Sequence, residues 1–108
     1  MRLLLDACLP QRLRHEIPGH DVATAQYMGW GNLTNGELLA AMKANGFEGL
    51  ITADSNLPHQ QSIVDAAITI FVLRAATNRL VDLRPLLPEL LRQISFARPG
   101  VVATVSGP

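Results

Sequence analysis

The sequence predicts a domain of the α/β class, with a central, mainly parallel sheet of four to five strands between helices in three α/β/α layers. Short apolar runs typical of buried strands alternate along the chain with segments whose apolar residues recur at helical spacing. Such alternation favours a parallel sheet, because parallel strands are joined by crossovers that are usually helical. In addition, two of the apolar runs end directly on an aspartate, Asp6 and Asp54.

The strand segments are recognised by their short, apolar character. A run such as Leu3-Leu4-Leu5 has no polar position, as expected of a strand buried on both faces. Residues 67–73 carry the strongest strand pattern of the chain. The predicted strands are residues 3–5, 20–25, 49–53, 67–73 and 101–105.

The helical segments are recognised by spacing and by capping residues. Thr34 with Glu37 three residues later forms the capping-box pattern, and Asn45-Gly46 ends that helix. Pro88 is expected to bend the last helix or restart it. The predicted helices are residues 11–17, the segment between Thr34 and Asn45, residues 61–66 and residues 81–94.

Length and composition indicate one globular domain. The 108 residues are 48% hydrophobic and 17% charged, which suits a single domain, 1–108, whose last part, about 95–108, forms an edge strand or a flexible tail. No apolar run reaches the ~18 residues of a membrane span. The single cysteine, Cys8, agrees with a reducing compartment, so we expect a cytoplasmic protein without a membrane partner.

The two strand-end aspartates predict an acidic crevice. In parallel sheets the functional crevice lies beyond the carboxyl ends of the strands, where Asp6 and Asp54 follow. Two convergent carboxylates suit a hard cation, Mg²⁺ or Mn²⁺, with Glu37 as a third ligand. The alternatives are that Glu37 only closes the capping box and that the two aspartates only cap helices or loops.

Other polar residues are expected near this crevice. Arg74, Asn78 and Arg79 follow the strand 67–73 and can hold a phosphate, unless the arginines pair with Asp82 or another nearby acid. Residues 59–61, Gln60 among them, can line the crevice as hydrogen-bond donors. Cys8 fits a small buried thiol better than a nucleophile, since no base accompanies it.

Several chemistries are disfavoured. One cysteine and three scattered histidines make no zinc-ligand spacing, and no glycine-rich loop follows the first strand. No Ser-His-Asp arrangement is present, and the balance of nine basic and nine acidic residues argues against a strong non-specific grip on nucleic acid.

Several motifs, in their order, resemble one uncharacterised branch of the short bacterial PIN-like domains. The likeness covers residues 1–94. The matching motifs are Arg2-Leu3-Leu4-Leu5-Asp6 with Leu9-Pro10 and Arg12-Leu13, Gly19-His20-Asp21-Val22, Gly29-Trp30, Asn35-Gly36-Glu37-Leu38-Leu39, Leu50-Ile51-Thr52-Ala53-Asp54, Asn56-Leu57-Pro58-His59-Gln60-Gln61 and Asn78-Arg79-Leu80-Val81-Asp82-Leu83.

The resemblance implies a nuclease fold related to the VapC-type toxin ribonucleases, in which clustered acids hold Mg²⁺ or Mn²⁺ and water cleaves a phosphodiester. Asp6 matches the first acid and Asp54 the acid after the third strand. Two positions depart from the pattern, because Ala7 stands where many relatives have Glu and Asn35 where many have an acid. Asn35 still offers a carbonyl oxygen as a metal ligand, and Glu37 on the same helix can compensate.

The first functional hypothesis is therefore a Mg²⁺- or Mn²⁺-dependent endoribonuclease, the toxin of a toxin–antitoxin pair. Its partners would be RNA and an antitoxin-like protein. The alternatives are a catalytically inactive PIN-like module that binds protein or RNA, and an inhibitory partner in which the acids serve only as caps. The leucine-rich segment 81–94 and Trp30 allow two interpretations, a homodimer surface or core positions within one chain.

Overall fold

The structure is a computed structural model that describes residues 1–56 and 67–107. The helix predicted at residues 61–66 lies outside these ranges. Within them, no helix is long and apolar enough to cross a membrane.

The centre of the molecule is a five-stranded sheet in which every strand runs parallel to its neighbours, as predicted. The order across the sheet is β2-β1-β3-β4-β5, so β2 and β5 are the edges. The strands are β1 (Arg2–Leu5), β2 (Asp21–Thr24), β3 (Gly49–Thr52), β4 (Thr69–Arg74) and β5 (Val102–Ser106).

The central strands are buried on both faces, which explains why their sequences are apolar without alternation. Leu4 of β1 stands opposite Leu50 of β3, and Leu50 opposite Ile70 of β4, and all three side chains are inaccessible to solvent. Parallel strands covered by helices on both sides read as continuous hydrophobic runs for this reason.

Helices cover both faces of the sheet, which gives the predicted three-layer α/β/α arrangement. In chain order they are a 3₁₀ helix (Gln11–Glu16), α1 (Ala25–Met28), α2 (Asn35–Ala44), α3 (Leu80–Leu83), a 3₁₀ turn (Arg84–Leu86) and α4 (Leu87–Ser95).

Two separate apolar clusters form the two interfaces. On the first face, the Gln11–Glu16 helix, α3 and α4 pack against Leu3, Leu5 and Phe71 of the sheet. On the second face, α1 and α2 pack against Leu4 and Leu50. The leucines of the segment 81–94 lie in the first cluster, so the core interpretation of that segment is the one that the fold supports.

Trp30 is also part of the domain interior. Its ring is partly buried and meets Phe47 edge to face, with the ring centroids 5.7 Å apart. The aromatic residue between two glycines therefore closes the end of the second apolar cluster.

The predicted helix 81–94 is broken into three pieces. The prolines explain the breaks, because a proline has no backbone N–H to continue the helical hydrogen bonds. Pro88 lies in the first turn of α4, where backbone N–H groups have no hydrogen-bond partner within the helix. The prediction that Pro88 bends or restarts the helix is therefore confirmed as a restart.

The short helix α1 was not predicted, and Ala25, assigned to a strand, begins it. Its start is fixed by Thr24, whose hydroxyl accepts a hydrogen bond from the Tyr27 amide at 3.1 Å. Gly29 ends it with a φ of 77°, in the left-handed region that glycine adopts without strain.

The crossovers between strands do not all have the same hand. The connections β1–β2 and β4–β5 both pass over the first face, but they move in opposite directions across the sheet. These two connections therefore have opposite hands. The connection β2–β3 runs in the direction opposite to β1–β2 and passes over the second face, so it has the same hand as β1–β2. The β4–β5 connection departs from the single hand that such units nearly always share.

Candidate functional site

The strand order creates a crevice between β1 and β3. From β1 the chain moves to β2 at one edge of the sheet, and from β2 it crosses back over β1 to β3. The helix after β1 lies on the first face and the helices after β2 lie on the second face. The carboxyl ends of two such strands form the usual ligand crevice of open parallel sheets with this strand order. Asp6 follows β1 and Asp54 lies two residues beyond β3, so both belong to this edge, as predicted.

A threonine that was not predicted joins the two aspartates. The hydroxyl of Thr52, the last residue of β3, donates a hydrogen bond to Asp6 Oδ2 at 2.6 Å. The Thr52 hydroxyl oxygen in turn accepts a hydrogen bond from the backbone amide of Asp54 at 3.0 Å. Thr52 is fully buried, so one side chain fixes both acids relative to the sheet.

Asp6 is held at both carboxylate oxygens. Its Oδ1 accepts from the Ala7 amide at 2.8 Å, and its own amide donates to the Ile51 carbonyl of β3 at 2.9 Å. The carboxylate is therefore oriented by neighbouring backbone as well as by Thr52. Its remaining lone pairs are available to a ligand in the crevice.

Asp54 closes a local turn. Its Oδ1 accepts a hydrogen bond from the Asn56 amide at 2.9 Å, the contact of an Asx turn. The capping alternative is thus realised at one oxygen of this carboxylate. The other oxygen has no hydrogen bond within residues 1–56 and 67–107.

Cys8 was predicted to be a buried thiol, and this prediction is wrong. The residue lies in the turn after β1 and is exposed, because the next residue, Leu9, is the one that enters the core. Its sulfur nevertheless lies 3.6 Å from Asp6 Oδ2 and 3.8 Å from Thr52 Oγ1.

The environment of Cys8 keeps the thiol protonated. Desolvation of the thiol, followed by the nearby charge of Asp6, raises the pKa of Cys8 above its ordinary value, and the Ala53 amide opposes this only in part. Because the thiolate is the reactive form, this position does not support a cysteine nucleophile.

Glu37 is used as a helix cap. Its carboxylate accepts from the Thr34 amide at 2.9 Å, while the Thr34 hydroxyl accepts from the Glu37 amide at 3.2 Å. The backbone hydrogen bond from Thr34 lowers the pKa of Glu37. The capping alternative is therefore the observed role of Glu37.

Asn35 is the first residue of α2. This helix runs antiparallel to the strands and leads to the start of β3. Its first turn therefore lies toward the carboxyl ends of the strands, where the crevice is. Within the described ranges, neither Asn35 nor Glu37 contacts Asp6 or Asp54 by a hydrogen bond.

The predicted phosphate-binding residues lie at the end of β4. Arg74 and Asn78 line a cavity of about 190 Å³ together with Ser55. The Asn78 amide nitrogen donates to the Cys8 carbonyl at 3.4 Å, which ties this loop to the acidic crevice. Arg79 instead forms an exposed ion pair with Asp82 at 3.7 Å, the alternative given for it. Gln60 lies outside the described residues.

The donor chemistry of the crevice suits Mg²⁺ or Mn²⁺, since carboxylates and amide carbonyls are hard oxygen ligands. The number of ligands is smaller than expected. In the part of the chain that the structure describes, no group of three or more histidine, cysteine, aspartate or glutamate side chains comes together to hold a metal ion. Among the described residues, Asp6 and Asp54 are the acids that the fold places at this crevice.

Comparisons of the chain with protein-family models, with curated proteins and with solved structures give no match. The PIN-like resemblance and its ribonuclease activity therefore stay predictions.

Proposed function

We propose that this protein is a Mg²⁺- or Mn²⁺-dependent ribonuclease that hydrolyses phosphodiester bonds at the β1–β3 crevice. The observation that supports the proposal best is the pair of strand-end aspartates, Asp6 and Asp54. The buried hydroxyl of Thr52 donates to the Asp6 carboxylate and accepts from the Asp54 backbone amide. The Thr52 hydroxyl thus holds the Asp6 carboxylate and the Asp54 backbone in fixed positions, which favours an ordered metal site.

Asp6 and Asp54 would hold the ion, with Asn35 completing the site. The ion would supply an activated water and neutralise the charge that grows on the phosphate. Thr52 would keep the Asp6 carboxylate oriented during this step. Arg74 and Asn78, at the neighbouring cavity, would hold the substrate backbone.

The test is cleavage of single-stranded RNA by the purified protein with Mn²⁺. We expect Asp6→Asn and Asp54→Asn each to reduce the rate about 100-fold or more, because each removes a carboxylate ligand of the ion that would neutralise the charge on the reacting phosphate. Asp21→Asn is the matched control, since Asp21 is an exposed acid at the start of β2, paired with Arg2. Equal rates in all three variants, or no cleavage by the wild type, would contradict the proposal.

The toxin role belongs to the same proposal. Expression of the chain should slow the growth of a bacterial host, and Asp6→Asn should restore it. A small antitoxin-like protein that binds the chain should also restore growth of the wild-type strain.

The second candidate is a module of the same fold that binds RNA or protein without catalysis. The observation that favours it is the use of Glu37 as a cap, which leaves two carboxylates in the crevice. Calorimetry with Mn²⁺ separates the candidates. Binding that is lost in Asp54→Ala supports the nuclease, and the absence of binding supports the module.

A further inference from the structure

A second surface, which carries basic and aromatic side chains, lies where the Gln11–Glu16 helix meets α1. The two elements enclose an open cavity of about 290 Å³. It is lined by Gln11, Arg12, Arg14, His15, Thr24 and Tyr27, and no acid is among them. We call these six residues the Tyr27 surface.

The two arginines of the Tyr27 surface have no acidic partner among the described residues. Four other arginines of the chain form ion pairs, with Asp21, Asp82, Glu16 and Glu89. Arg12 and Arg14 form none with any residue that the structure describes. The one acid of their own helix, Glu16, is bound to Arg84 at 2.9 Å, so it does not neutralise them.

The geometry of the 3₁₀ helix explains why these side chains point outward together. With three residues per turn, residues three apart share a face. Leu13 is completely buried and directs one face into the core. The other two faces carry Arg12 with His15 and Gln11 with Arg14, and all four residues are exposed.

Tyr27 supplies an aromatic ring next to these charges. It is 78% exposed, the most exposed of the large hydrophobic residues described. A ring with so much of its surface exposed has a face available for stacking.

The surface is fixed relative to the acidic crevice by two hydrogen bonds. The Thr24 hydroxyl, which caps α1, donates to Gln11 Oε1 at 3.4 Å and so joins α1 to the 3₁₀ helix. The Gln26 amide nitrogen donates to the Ala7 carbonyl at 3.0 Å, one residue from Asp6. The Tyr27 surface is therefore tied through α1 to the residue that follows Asp6.

We propose that the Tyr27 surface binds single-stranded nucleic acid, with one base stacked on Tyr27 and the adjoining phosphates on Arg12 and Arg14. Aromatic rings beside unpaired arginines are the usual means of binding unpaired bases and their backbone. Binding itself is independent of catalysis. The further step, that this surface leads the strand to Asp6 for cleavage, rests on the proposed function.

The test measures binding by fluorescence anisotropy, with a labelled oligouridine of about 12 nucleotides in EDTA. We expect Tyr27→Ala to weaken binding about tenfold, because stacking on one base is lost. Tyr27→Phe, which keeps the ring, should stay within about twofold of the wild type. The double variant Arg12→Gln/Arg14→Gln should weaken binding and reduce the salt slope by about 1.4, which corresponds to two phosphates on a single strand.

Matched controls are available elsewhere on the molecule. Phe96 is 72% exposed, and Arg98 is an exposed arginine without an ion pair among the described residues; both line a separate cavity between α4 and the β4–β5 part of the sheet. Phe96→Ala and Arg98→Gln should leave binding unchanged. Equal losses at the two surfaces, no loss in Tyr27→Ala, or equal affinity for a duplex of the same sequence would each overturn the proposal.

The same variants separate this proposal from the nuclease proposal. If the chain binds oligouridine through Tyr27 and never cleaves RNA, the Tyr27 surface stands and the nuclease proposal fails. If the chain cleaves RNA with Mn²⁺ and Tyr27→Ala cleaves with unchanged KM, the nuclease proposal stands and the Tyr27 surface is wrong.

Discussion

At the scale of single residues, the central finding is Thr52, a side chain that the sequence did not single out. The positions of Asp6 and Asp54 were predictable, because each follows an apolar strand and parallel strands end at a common edge. The role of Thr52 was not, since a threonine within a strand more often reflects strand preference than a buried hydrogen bond. Its position at the very end of β3 was the available signal.

Removal of the Thr52 hydroxyl should affect both stability and the site. We expect Thr52→Val to lower the free energy of unfolding by about 1–3 kcal/mol, because the partly buried Asp54 amide and the Asp6 carboxylate lose a partner. If the nuclease proposal holds, Mn²⁺ binding should also weaken about 10–100-fold, as expected for a residue that orients a ligand. Chemical denaturation and calorimetry measure the two effects.

Thr69→Val is the matched control for this experiment. Thr69 is also buried, and its hydroxyl donates to the Arg98 carbonyl at 2.6 Å, but it lies at the start of β4, far from the crevice. It should lose comparable stability and keep Mn²⁺ affinity. Equal loss of affinity in both variants would mean that Thr52 acts on the fold alone.

At the scale of elements, a helix cap formed by residues close together in the sequence was predicted, whereas the exact division of the last helical segment was not. The capping box of α2 was predicted because its two residues, Thr34 and Glu37, lie three apart in the sequence. The division of the segment 81–94 into α3, a 3₁₀ turn and α4 was predicted only in part, although Pro85 and Pro88, both exposed, lack the backbone N–H that one continuous helix would use. Its leucine spacing is compatible with one helix as well as with three short ones.

The capping box should make α2 sensitive to acid. The pKa of Glu37 lies below its ordinary value of 4.5, so the unfolded chain binds its proton first as the pH falls. The contribution of the carboxylate to stability is therefore complete above about pH 4.5 and is lost as the pH falls through the lowered pKa of the folded protein.

The comparison of wild type with Glu37→Gln measures this effect. Glutamine keeps an acceptor for the Thr34 amide but does not titrate. The Tm difference between the two proteins should be constant from pH 7 to pH 5 and should shrink below pH 4.5. A difference that is constant down to pH 2 would show that the charge of Glu37 is irrelevant to the cap.

At the scale of the whole molecule, the direction of the strands was predictable and their order was not. Alternating strands and helices require parallel pairing, whereas the order β2-β1-β3-β4-β5 depends on contacts between residues far apart in the sequence. The opposite hand of the β4–β5 crossover likewise depends on which face α4 covers. Nothing in the spacing of its leucines indicates a face.

The edge strand β5 should be less protected than the centre of the sheet. The backbone groups of successive residues point alternately toward β4 and away from it. The Val101 carbonyl accepts from the Ile70 amide of β4, while the Thr104 carbonyl points away from β4 and accepts from the Gln93 side chain at 3.1 Å. In native-state hydrogen exchange we expect the Thr104 amide to exchange fast and the Ala103 and Val105 amides more slowly.

The amides of β1 and β3 should exchange slowest, near the rate of global unfolding, because both strands are paired on each side. Protection of Thr104 equal to that of its neighbours would indicate a partner along the β5 edge. Protection of β5 equal to that of β3 would show that the reversed crossover opens only with the whole domain.

The strand order also has a consequence for synthesis. Each strand pairs with one that precedes it in the chain: β2 and β3 with β1, β4 with β3, and β5 with β4. In a nascent chain leaving the ribosome, every strand after the first therefore emerges with at least one of its pairing partners already synthesised. The sheet can be assembled in the order in which its codons are read.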